Sequence, residues 1–269
     1  MKPVSRTAFY CTGVRALDAR KPNPACGDTY AERFMDEERW REFEPFREFK
    51  GPNISNATRH RIIDDLLRER LAASPDLRVI IIGAGFDTRA FRLTGGRWIE
   101  VDEPQVFAWK EPRLPAAGSP NPLTRVPIDF ETERLGDRLR PFADPGPVVV
   151  IVEGVLFYLG EPRIRELLRT VRETFPRGEI LCDVMTLEFF TKFGKAIFEK
   201  IREMGAAYQV PERPIDEIFA EERYVETARI SSMARASELG QLPWHWKFLV
   251  LPLTPLLRHG YTIRSFRPR

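Results

Sequence analysis

The sequence predicts an α/β protein: a doubly wound, mostly parallel seven-stranded sheet with an N-terminal helical cap and a C-terminal antiparallel strand. Two patterns predict this class. Short apolar runs alternate with helix-forming segments through the middle of the chain, and such alternation favours parallel strands joined by right-handed crossovers. Near the C-terminus the alternation stops, and two late strands indicate an antiparallel pair that closes the sheet.

The 269 residues are predicted to form a single domain with three parts: a cap (1–50), a ligand-binding core (51–186), and a helical insertion with the closing strands (187–269). Hydrophobic residues make up 43 % of the chain, which is enough for a core without disulfide bonds. The 42 basic and 39 acidic side chains leave a formal net charge of +3. That small excess favours neither a nucleic acid nor an anionic membrane as a partner.

No stretch of the sequence resembles a secretory signal or a membrane span. The longest late apolar run, Trp244–Leu257, is too short to cross a bilayer and is interrupted by two prolines. We therefore expect a cytoplasmic protein.

The first clear helix is predicted over Pro52–Ala73, where apolar residues recur at helical spacing. Asn53 or Ser55 is expected to supply its N-cap. The polar side of this helix carries Arg59 and Asp64, among other charged residues.

Five strands are predicted in the core. They are Arg78–Ile82, Arg97–Val101, Thr124–Ile128, Val148–Val152 and Ile180–Val184. Pro127 in the third strand indicates an edge position, and the fourth strand is apolar on both faces, as expected at the centre of a parallel sheet.

One amphipathic helix is predicted next, over Leu187–Met204, and its phenylalanines indicate helix packing rather than a substrate-binding wall. The late strands follow at Tyr224–Ile230 and Tyr261–Phe266.

A glycine-rich loop, Gly83-Ala84-Gly85, directly follows the first strand and precedes a helical turn. Glycines at this point let backbone amides approach a ligand at the carboxyl end of the sheet. The dinucleotide fingerprint requires a third glycine where this chain has Thr88. The loop therefore indicates a nucleotide-like ligand without specifying which one.

Asp102 ends the second strand, 19 positions after Gly83. An acid at this spacing holds the ribose hydroxyls of an adenosine in sheets of this kind. Together with the glycines, Asp102 predicts adenosine binding, and both S-adenosylmethionine and NAD remain possible on these residues.

Two further acids favour S-adenosylmethionine. Asp129 and Phe130 follow the third strand, where a carboxylate and a backbone amide suit adenine, and Glu153 ends the fourth strand. An anion at Glu153 suits a sulfonium and an ammonium group, and it is unfavourable beside a pyrophosphate. Because a buried unpaired carboxylate is costly, Glu153 is expected to have a cationic or multi-donor partner.

Four segments, taken together, resemble the leucine carboxyl methyltransferase family. They are Asn56–Arg59 (NATR), Gly83–Arg89 (GAGFDTR), Glu100–Pro104 (EVDEP) and Glu153–Leu159 (EGVLFYL). The resemblance is closer to the bacterial tetracenomycin-type carboxyl O-methyltransferases. It implies a class I methyltransferase fold and an enzyme that moves the methyl group of S-adenosylmethionine to a carboxylate, with S-adenosylhomocysteine as product.

The resemblance also implies a role for each matching residue at the donor end. Arg59 would pair with the methionyl carboxylate of the cofactor, a geometry that suits its planar guanidinium. Gly83, Ala84 and Gly85 would line the methionyl and ribose portion, and Asp102 would hold the ribose.

The remaining roles follow in the same way. Asp129 and Phe130 would hold the adenine, and Glu153 would face the amino-acid end. The family also uses a basic residue from the N-terminal cap, for which Arg15 is the candidate. Tyr158 is the residue expected to border the acceptor, and no other catalytic group is assigned.

Other polar residues give weaker signals. Arg61 is a competing anion ligand on the same helix as Arg59. His60, His245 and His259 show no ligand spacing, so no metal is expected.

A carboxylate acceptor is ionised at neutral pH and needs no general base, which fits the lack of an obvious histidine or lysine base. The expected partner is a small-molecule acid, such as a polyketide, or a peptide C-terminus. Two alternatives remain open: an NAD-dependent oxidoreductase, which Thr88 and Glu153 disfavour, and a non-catalytic S-adenosylmethionine-binding protein.

Overall fold

Seven strands form one sheet in the computed structural model, which describes residues 1–245 and 254–269. The strands are β1 (Arg78–Ile82), β2 (Arg97–Asp102), β3 (Leu123–Pro127), β4 (Val148–Val152), β5 (Glu179–Met185), β6 (Tyr224–Ser231) and β7 (Tyr261–Pro268). Their order across the sheet is β3-β2-β1-β4-β5-β7-β6. The first five pair in parallel, and β7 lies antiparallel between β5 and β6.

This order confirms the predicted fold class. The third strand is at the edge and the fourth at the centre, as the proline and the apolar run indicate. The late pair closes the sheet in antiparallel fashion.

Helices pack on both faces of the sheet. They are α1 (Pro3–Ala19), α2 (Glu37–Phe43), α3 (Lys50–Ala73), α4 (Arg89–Arg92), α5 (Pro104–Lys110), α6 (Leu135–Leu139), α7 (Glu161–Thr174), α8 (Leu187–Phe189), α9 (Lys195–Glu203), α10 (Ile215–Glu221), α11 (Ser232–Glu238) and α12 (Pro255–His259). None of the helices within the described ranges is long and apolar enough to cross a membrane. Most of the late apolar run considered above, residues 246–253, lies outside the described residues.

Two apolar cores result from the alternation of side chains along the strands. Val79 and Ile81 of β1 pack with Ile63 of α3 and the N-terminal cap on one face. Ile80 packs with Leu168 of α7 on the other face. Because both faces of the sheet are covered, the carboxyl ends of the parallel strands are the edge at which a ligand site can open.

The predicted N-cap of α3 is wrong. The helix begins at Lys50, its N-cap residue Phe49 makes no capping hydrogen bond, and Asn53 lies inside the first turns. The Asn53 side chain instead accepts a hydrogen bond from the Tyr10 hydroxyl (3.0 Å) and donates to the Phe46 carbonyl (2.8 Å). Asn53 therefore links α3 to the cap through two hydrogen bonds, and the local sequence does not indicate this role.

The single helix predicted over Leu187–Met204 is interrupted. A π-helical turn, Phe190–Gly194, separates α8 from α9. A side chain at Gly194 would overlap the ring of Phe198, which stacks on Phe190 with 4.4 Å between centroids. The wider turn places the two rings against each other, and π-helical turns are often found at functional sites.

Candidate active site

A cavity of about 1130 Å³ opens at the carboxyl ends of the parallel strands. This volume exceeds the roughly 300–1,000 Å³ of a typical single-ligand pocket, so two reactants can share it. Nine of the predicted site residues line it: Arg15, Arg59, Gly83, Ala84, Gly85, Asp102, Phe130, Glu153 and Tyr158. The structure therefore brings together nearly all of the positions that the sequence singled out.

The glycine loop is shaped by its backbone. Gly83 has a φ of +69° and Gly85 a φ of +49°, conformations that glycine adopts without strain. A Cβ atom on Gly83 would lie 2.5 Å from a Val155 methyl group, so the loop lies close against the turn after β4. Glycine at this position lets the two loops meet over the cavity.

Asp102 lies at the tip of β2, facing the glycine loop. Its carboxylate accepts hydrogen bonds from the Gly85 amide (2.5 Å) and the Glu103 amide (2.6 Å). Burial raises the pKa of Asp102 to about 6, although both hydrogen bonds act in the opposite direction. The side chain is only 6 % exposed, and it lines the cavity.

Asp129 lies beside the cavity rather than on its wall. Its carboxylate accepts a hydrogen bond from the Lys2 ammonium group at 2.8 Å, and Lys2 also bonds Glu103 at 3.0 Å. The hydrogen bond from Lys2 lowers the pKa of Asp129. Phe130, by contrast, is on the cavity wall. No spacing in the sequence indicates that residue 2 meets these acids.

Glu153 and Arg59 form a buried ion pair at the centre of the sheet edge. The Arg59 Nε atom lies 2.9 Å from Glu153, and its Nη1 atom lies 2.9 Å from Asp183 and 3.0 Å from the Tyr261 hydroxyl. The expected cationic partner of Glu153 is thus confirmed. Burial alone would raise the pKa of Glu153, but Arg89 and Arg59 hold it well below its usual value.

Arg89, the last residue of the GAGFDTR motif, is fully buried and bonds three acids. It lies 2.7 Å from Glu153 and 2.6 Å from Asp64, and it also bonds Asp87. Its guanidinium also contacts His60 at 2.7 Å, and burial together with Arg89 lowers the pKa of that imidazole. His60, Asp87 and Glu153 come close enough to chelate a cation. Each of them, however, bonds the Arg89 guanidinium.

Arg15 joins the cap to the glycine loop. Its Nε atom donates to Asp28 at 3.0 Å and its Nη2 atom donates to the Phe86 carbonyl at 2.8 Å. Thr88, at the position of the missing third glycine, donates its hydroxyl proton to the same Asp28 at 2.7 Å. Sequence reasoning missed Asp28, which carries no motif signal.

The four other polar candidates are not among the residues that line the cavity: His60, Arg61, His245 and His259. Arg61 pairs with Asp65 at 2.8 Å on the outer side of α3. It belongs to the scaffold rather than to the site.

One part of the cavity, the aromatic lobe, is bordered by tyrosine and phenylalanine side chains. Tyr158 stacks on Tyr208 with 4.7 Å between ring centroids, and their hydroxyl groups are 3.1 Å apart. Burial raises the pKa of Tyr158 to about 12 and that of Tyr208 well above its usual value, so both phenols stay protonated. Tyr208 was missed from the sequence because its segment carries no motif.

Phenylalanines of the helical insertion complete this wall. Phe189, Phe193 and Phe198 all line the cavity. Besides packing against other rings, these side chains therefore border the cavity. The cap and the insertion together enclose the lobe that lies beyond the strand tips.

Residues 8–172, more than half of the chain, match the leucine carboxyl methyltransferase family. The chain belongs to that family. Membership confirms the resemblance seen in the motifs and the class predicted from them, an S-adenosylmethionine-dependent O-methyltransferase. It does not favour the nicotinamide-dependent alternative.

Two similar proteins are also named as methyltransferases. A Streptomyces coelicolor protein named as an S-adenosyl-L-methionine-dependent methyltransferase is 29 % identical over 205 residues, covering 69 % of this chain and 67 % of that protein. The tetracenomycin polyketide synthesis O-methyltransferase TcmP of Streptomyces glaucescens is 29 % identical over 208 residues, covering 76 % and 74 %.

A solved structure shows the same fold. The crystal structure of a Thermobifida fusca protein assigned to the methyltransferases matches with a TM-score of 0.61 at 15 % identity, covering 93 % of this chain and 96 % of that one. At this identity the likeness concerns the fold alone.

Proposed function

We propose that this protein transfers the methyl group of S-adenosylmethionine to a carboxylate oxygen of a small, largely apolar acid. The observation that supports this most directly is the continuity of one cavity, which joins acid-tipped strand ends to an aromatic lobe. We further propose that cap, core and insertion act as one unit, since all three supply its wall.

The glycine loop and Asp102 would hold the methionyl and ribose portion. A cofactor can approach the backbone of Gly83, Ala84 and Gly85 because no side chain extends beyond a methyl group there. Asp102 accepts one amide hydrogen bond on each oxygen, and a carboxylate oxygen can accept a second. That spare capacity fits two ribose hydroxyls.

The adenine end would be formed by Phe130 and Asp129. Phe130 supplies an apolar surface on the cavity wall, and Asp129 would receive the exocyclic amine if Lys2 shares its carboxylate. Lys2 pairs with both Asp129 and Glu103, and its one positive charge offsets only one of the two carboxylates, so this end of the cavity keeps a net negative charge.

The methionyl carboxylate would be bound by Arg59. Two of its nitrogens donate hydrogen bonds to Glu153, Asp183 and Tyr261. The third, Nη2, contacts only the Cys11 sulfur, at 3.8 Å, among the described residues. Glu153 would act by holding this guanidinium in place. Arg15 would support the glycine loop from the cap.

When bound, S-adenosylmethionine supplies an electrophilic methyl group on a sulfonium leaving group. The protein has to align the acceptor oxygen with that methyl group and exclude water, which by itself lowers the barrier substantially. Tyr158 and Tyr208 stay protonated, so they can donate hydrogen bonds to the acceptor but cannot act as bases at neutral pH. A carboxylate acceptor, already ionised, suits such a site.

A small acid is favoured over a protein C-terminus as the acceptor. The aromatic lobe is bounded by the cap and the insertion, and the S. glaucescens relative is named for polyketide synthesis. Both observations support a polyketide-like acid.

The test is to incubate the protein with methyl-deuterated S-adenosylmethionine and a panel of aromatic acids, with a peptide ending in leucine as a competing acceptor. Mass spectrometry should find a labelled product that mild alkali hydrolyses, because esters saponify and phenol ethers do not. A labelled ether would contradict the carboxylate assignment. Binding of S-adenosylhomocysteine without turnover of any acceptor would favour the non-catalytic alternative.

A further inference from the structure

We infer that Asn56 is a cofactor-binding residue whose side-chain oxygen accepts a hydrogen bond from the α-ammonium group of S-adenosylmethionine. Asn56 and Arg59, one turn apart on α3, would then take the two charged groups of the methionyl end. The inference rests on the proposed function and adds a residue to which neither the motifs nor the family resemblance gave a role.

In the Asn56 side-chain amide, the nitrogen makes a hydrogen bond and the oxygen makes none to the described residues. Its side chain is on the cavity wall, yet the residue is only 6 % exposed. The amide nitrogen donates to the Cys11 sulfur at 3.2 Å, whereas Oδ1 has no hydrogen-bond partner among the described residues. Buried acceptors are rarely left unpaired, because losing water without gaining a donor is costly. A donor from the ligand would remove that cost.

Asn56 lies next to the guanidinium that would bind the cofactor's carboxylate. The same Cys11 sulfur is 3.2 Å from Asn56 Nδ2 and 3.8 Å from Arg59 Nη2. Residues three apart on a helix project from the same face. The Asn56 amide group and the one guanidinium nitrogen that is free of carboxylates thus flank the same sulfur, which brings the two side chains near enough to take the ammonium and carboxylate of one amino acid.

The neighbouring carboxylates are already engaged by protein donors. Glu153 bonds Arg59 through one oxygen and Arg89 through the other, at 2.9 and 2.7 Å. Asp183 accepts hydrogen bonds from Arg59, the Tyr261 hydroxyl and the Gly154 amide. Among the described residues, Asn56 Oδ1 is a side-chain acceptor at this end that makes no hydrogen bond at all. A neutral amide can accept a hydrogen bond from an ammonium group without disturbing the ion pairs.

The experiment compares three ligands by calorimetry: S-adenosylhomocysteine, its deamino analogue and its decarboxy analogue. Asn56→Leu should weaken S-adenosylhomocysteine by about ten-fold, the value expected for one hydrogen bond to a charged group. The decarboxy analogue should lose affinity equally, and the deamino analogue should lose none. Asn56→Asp, which retains an acceptor, should restore binding of the two amines.

Thr58→Val is the matched control. Thr58 lies on the same helix, is fully buried, and has a hydroxyl that also lacks a partner among the described residues, but it is not among the cavity-lining residues. Its replacement should leave all three affinities unchanged. Melting of each unliganded variant checks folding, and Asn56→Ser replaces Asn56→Leu if the leucine variant does not fold.

If Asn56→Leu lowered the affinity for all three ligands equally, the inference would be overturned, since Asn56 would then have a purely structural role. A loss confined to the ligands with a carboxylate would overturn it as well, because the amide would then be a donor to that group. Failure of the unmodified protein to bind S-adenosylhomocysteine would instead contradict the proposed function.

Discussion

The two ends of the cavity are built by opposite means. The donor end is a buried array of ion pairs at strand tips, and apart from Asp183 its residues lie within the segment that matches the family, residues 8–172. The acceptor end takes much of its wall from the insertion after residue 187, outside that segment, and its wall is aromatic. Directional charge thus surrounds the part of the cavity that we propose for the methyl donor, and non-directional apolar contact surrounds the part that we propose for the acceptor.

The ion pairs of the donor end form a single connected set. Its arginines are Arg15, Arg59, Arg89 and Arg92, and its acids are Asp28, Asp64, Asp87, Glu153 and Asp183. Each arginine offers five donors in fixed directions. Such a set has few alternative arrangements, whereas stacked rings can shift with little loss. The donor end should therefore tolerate substitution less than the acceptor end does.

The largest effect is expected from Arg89→Met. Removing this guanidinium leaves the Glu153, Asp64 and Asp87 carboxylates short of a buried partner, which should lower the free energy of unfolding by about 3–5 kcal/mol. Urea denaturation measures this. Arg140→Met is the control, because the Arg140 side chain is 77 % exposed in its pair with Asp137, and surface pairs contribute less than about 1 kcal/mol. Equal losses in the two variants would show that the buried ion pairs of the donor end contribute no more to stability than a surface pair.

The second largest effect is expected from Asp102→Ala. The variant leaves the Gly85 and Glu103 amides unpaired and removes the proposed ribose acceptor. Affinity for S-adenosylhomocysteine should fall by about 1–3 kcal/mol, which calorimetry can measure. Asp137→Ala, on the exposed side of α6, should change nothing. Unchanged affinity in the Asp102 variant would remove the ribose assignment.

The pH dependence of cofactor binding tests the same carboxylate without a mutation. Its pKa of about 6 means that Asp102 is ionised above pH 6 and protonated below it. Since the ionised form is the better hydroxyl acceptor, affinity should be highest above pH 6. It should fall by about ten-fold between pH 7 and pH 5, where roughly a tenth of the carboxylate stays ionised. A flat profile in the unmodified protein would contradict this, and Asp102→Asn should be flat.

The smallest effect is expected at the acceptor end. Tyr208→Phe removes one hydroxyl from the aromatic wall and should lower kcat/KM for a carboxylic acid by about three- to ten-fold, with affinity for S-adenosylhomocysteine unchanged. Tyr224→Phe is the control, because its hydroxyl donates to the Leu168 carbonyl away from the cavity. If Tyr208→Phe lowered the affinity for S-adenosylhomocysteine as much as it lowered kcat/KM for the acid, the division of the cavity into two ends would not hold.

The sequence predicted the sheet and the donor end well, because both depend on local patterns. Apolar runs set the strands, and the residues that follow them are brought to one edge by parallel pairing, as for Asp102 and Glu153. The partners of those residues depend on tertiary packing instead. Arg89 reaches Asp64 across 25 positions of sequence, and nothing in either segment indicates that pairing.

The acceptor end was harder to predict for a different reason. Phenylalanines at helical spacing look the same whether they fill a core or border a cavity, and the π-helical turn that separates them has no sequence signature. Tyr208 follows the insertion in a segment without regular structure.

That π-helical turn also bears on how the family can diversify. It holds one residue more than an α-helical turn would, so a one-residue deletion within 190–194 would restore a regular turn and keep the direction of the helix after it. Only the wall within residues 190–194 would change, while Phe198 and the ion pairs at the strand tips stayed in place. A deletion of one codon there would therefore alter the aromatic wall locally and leave the ion pairs untouched.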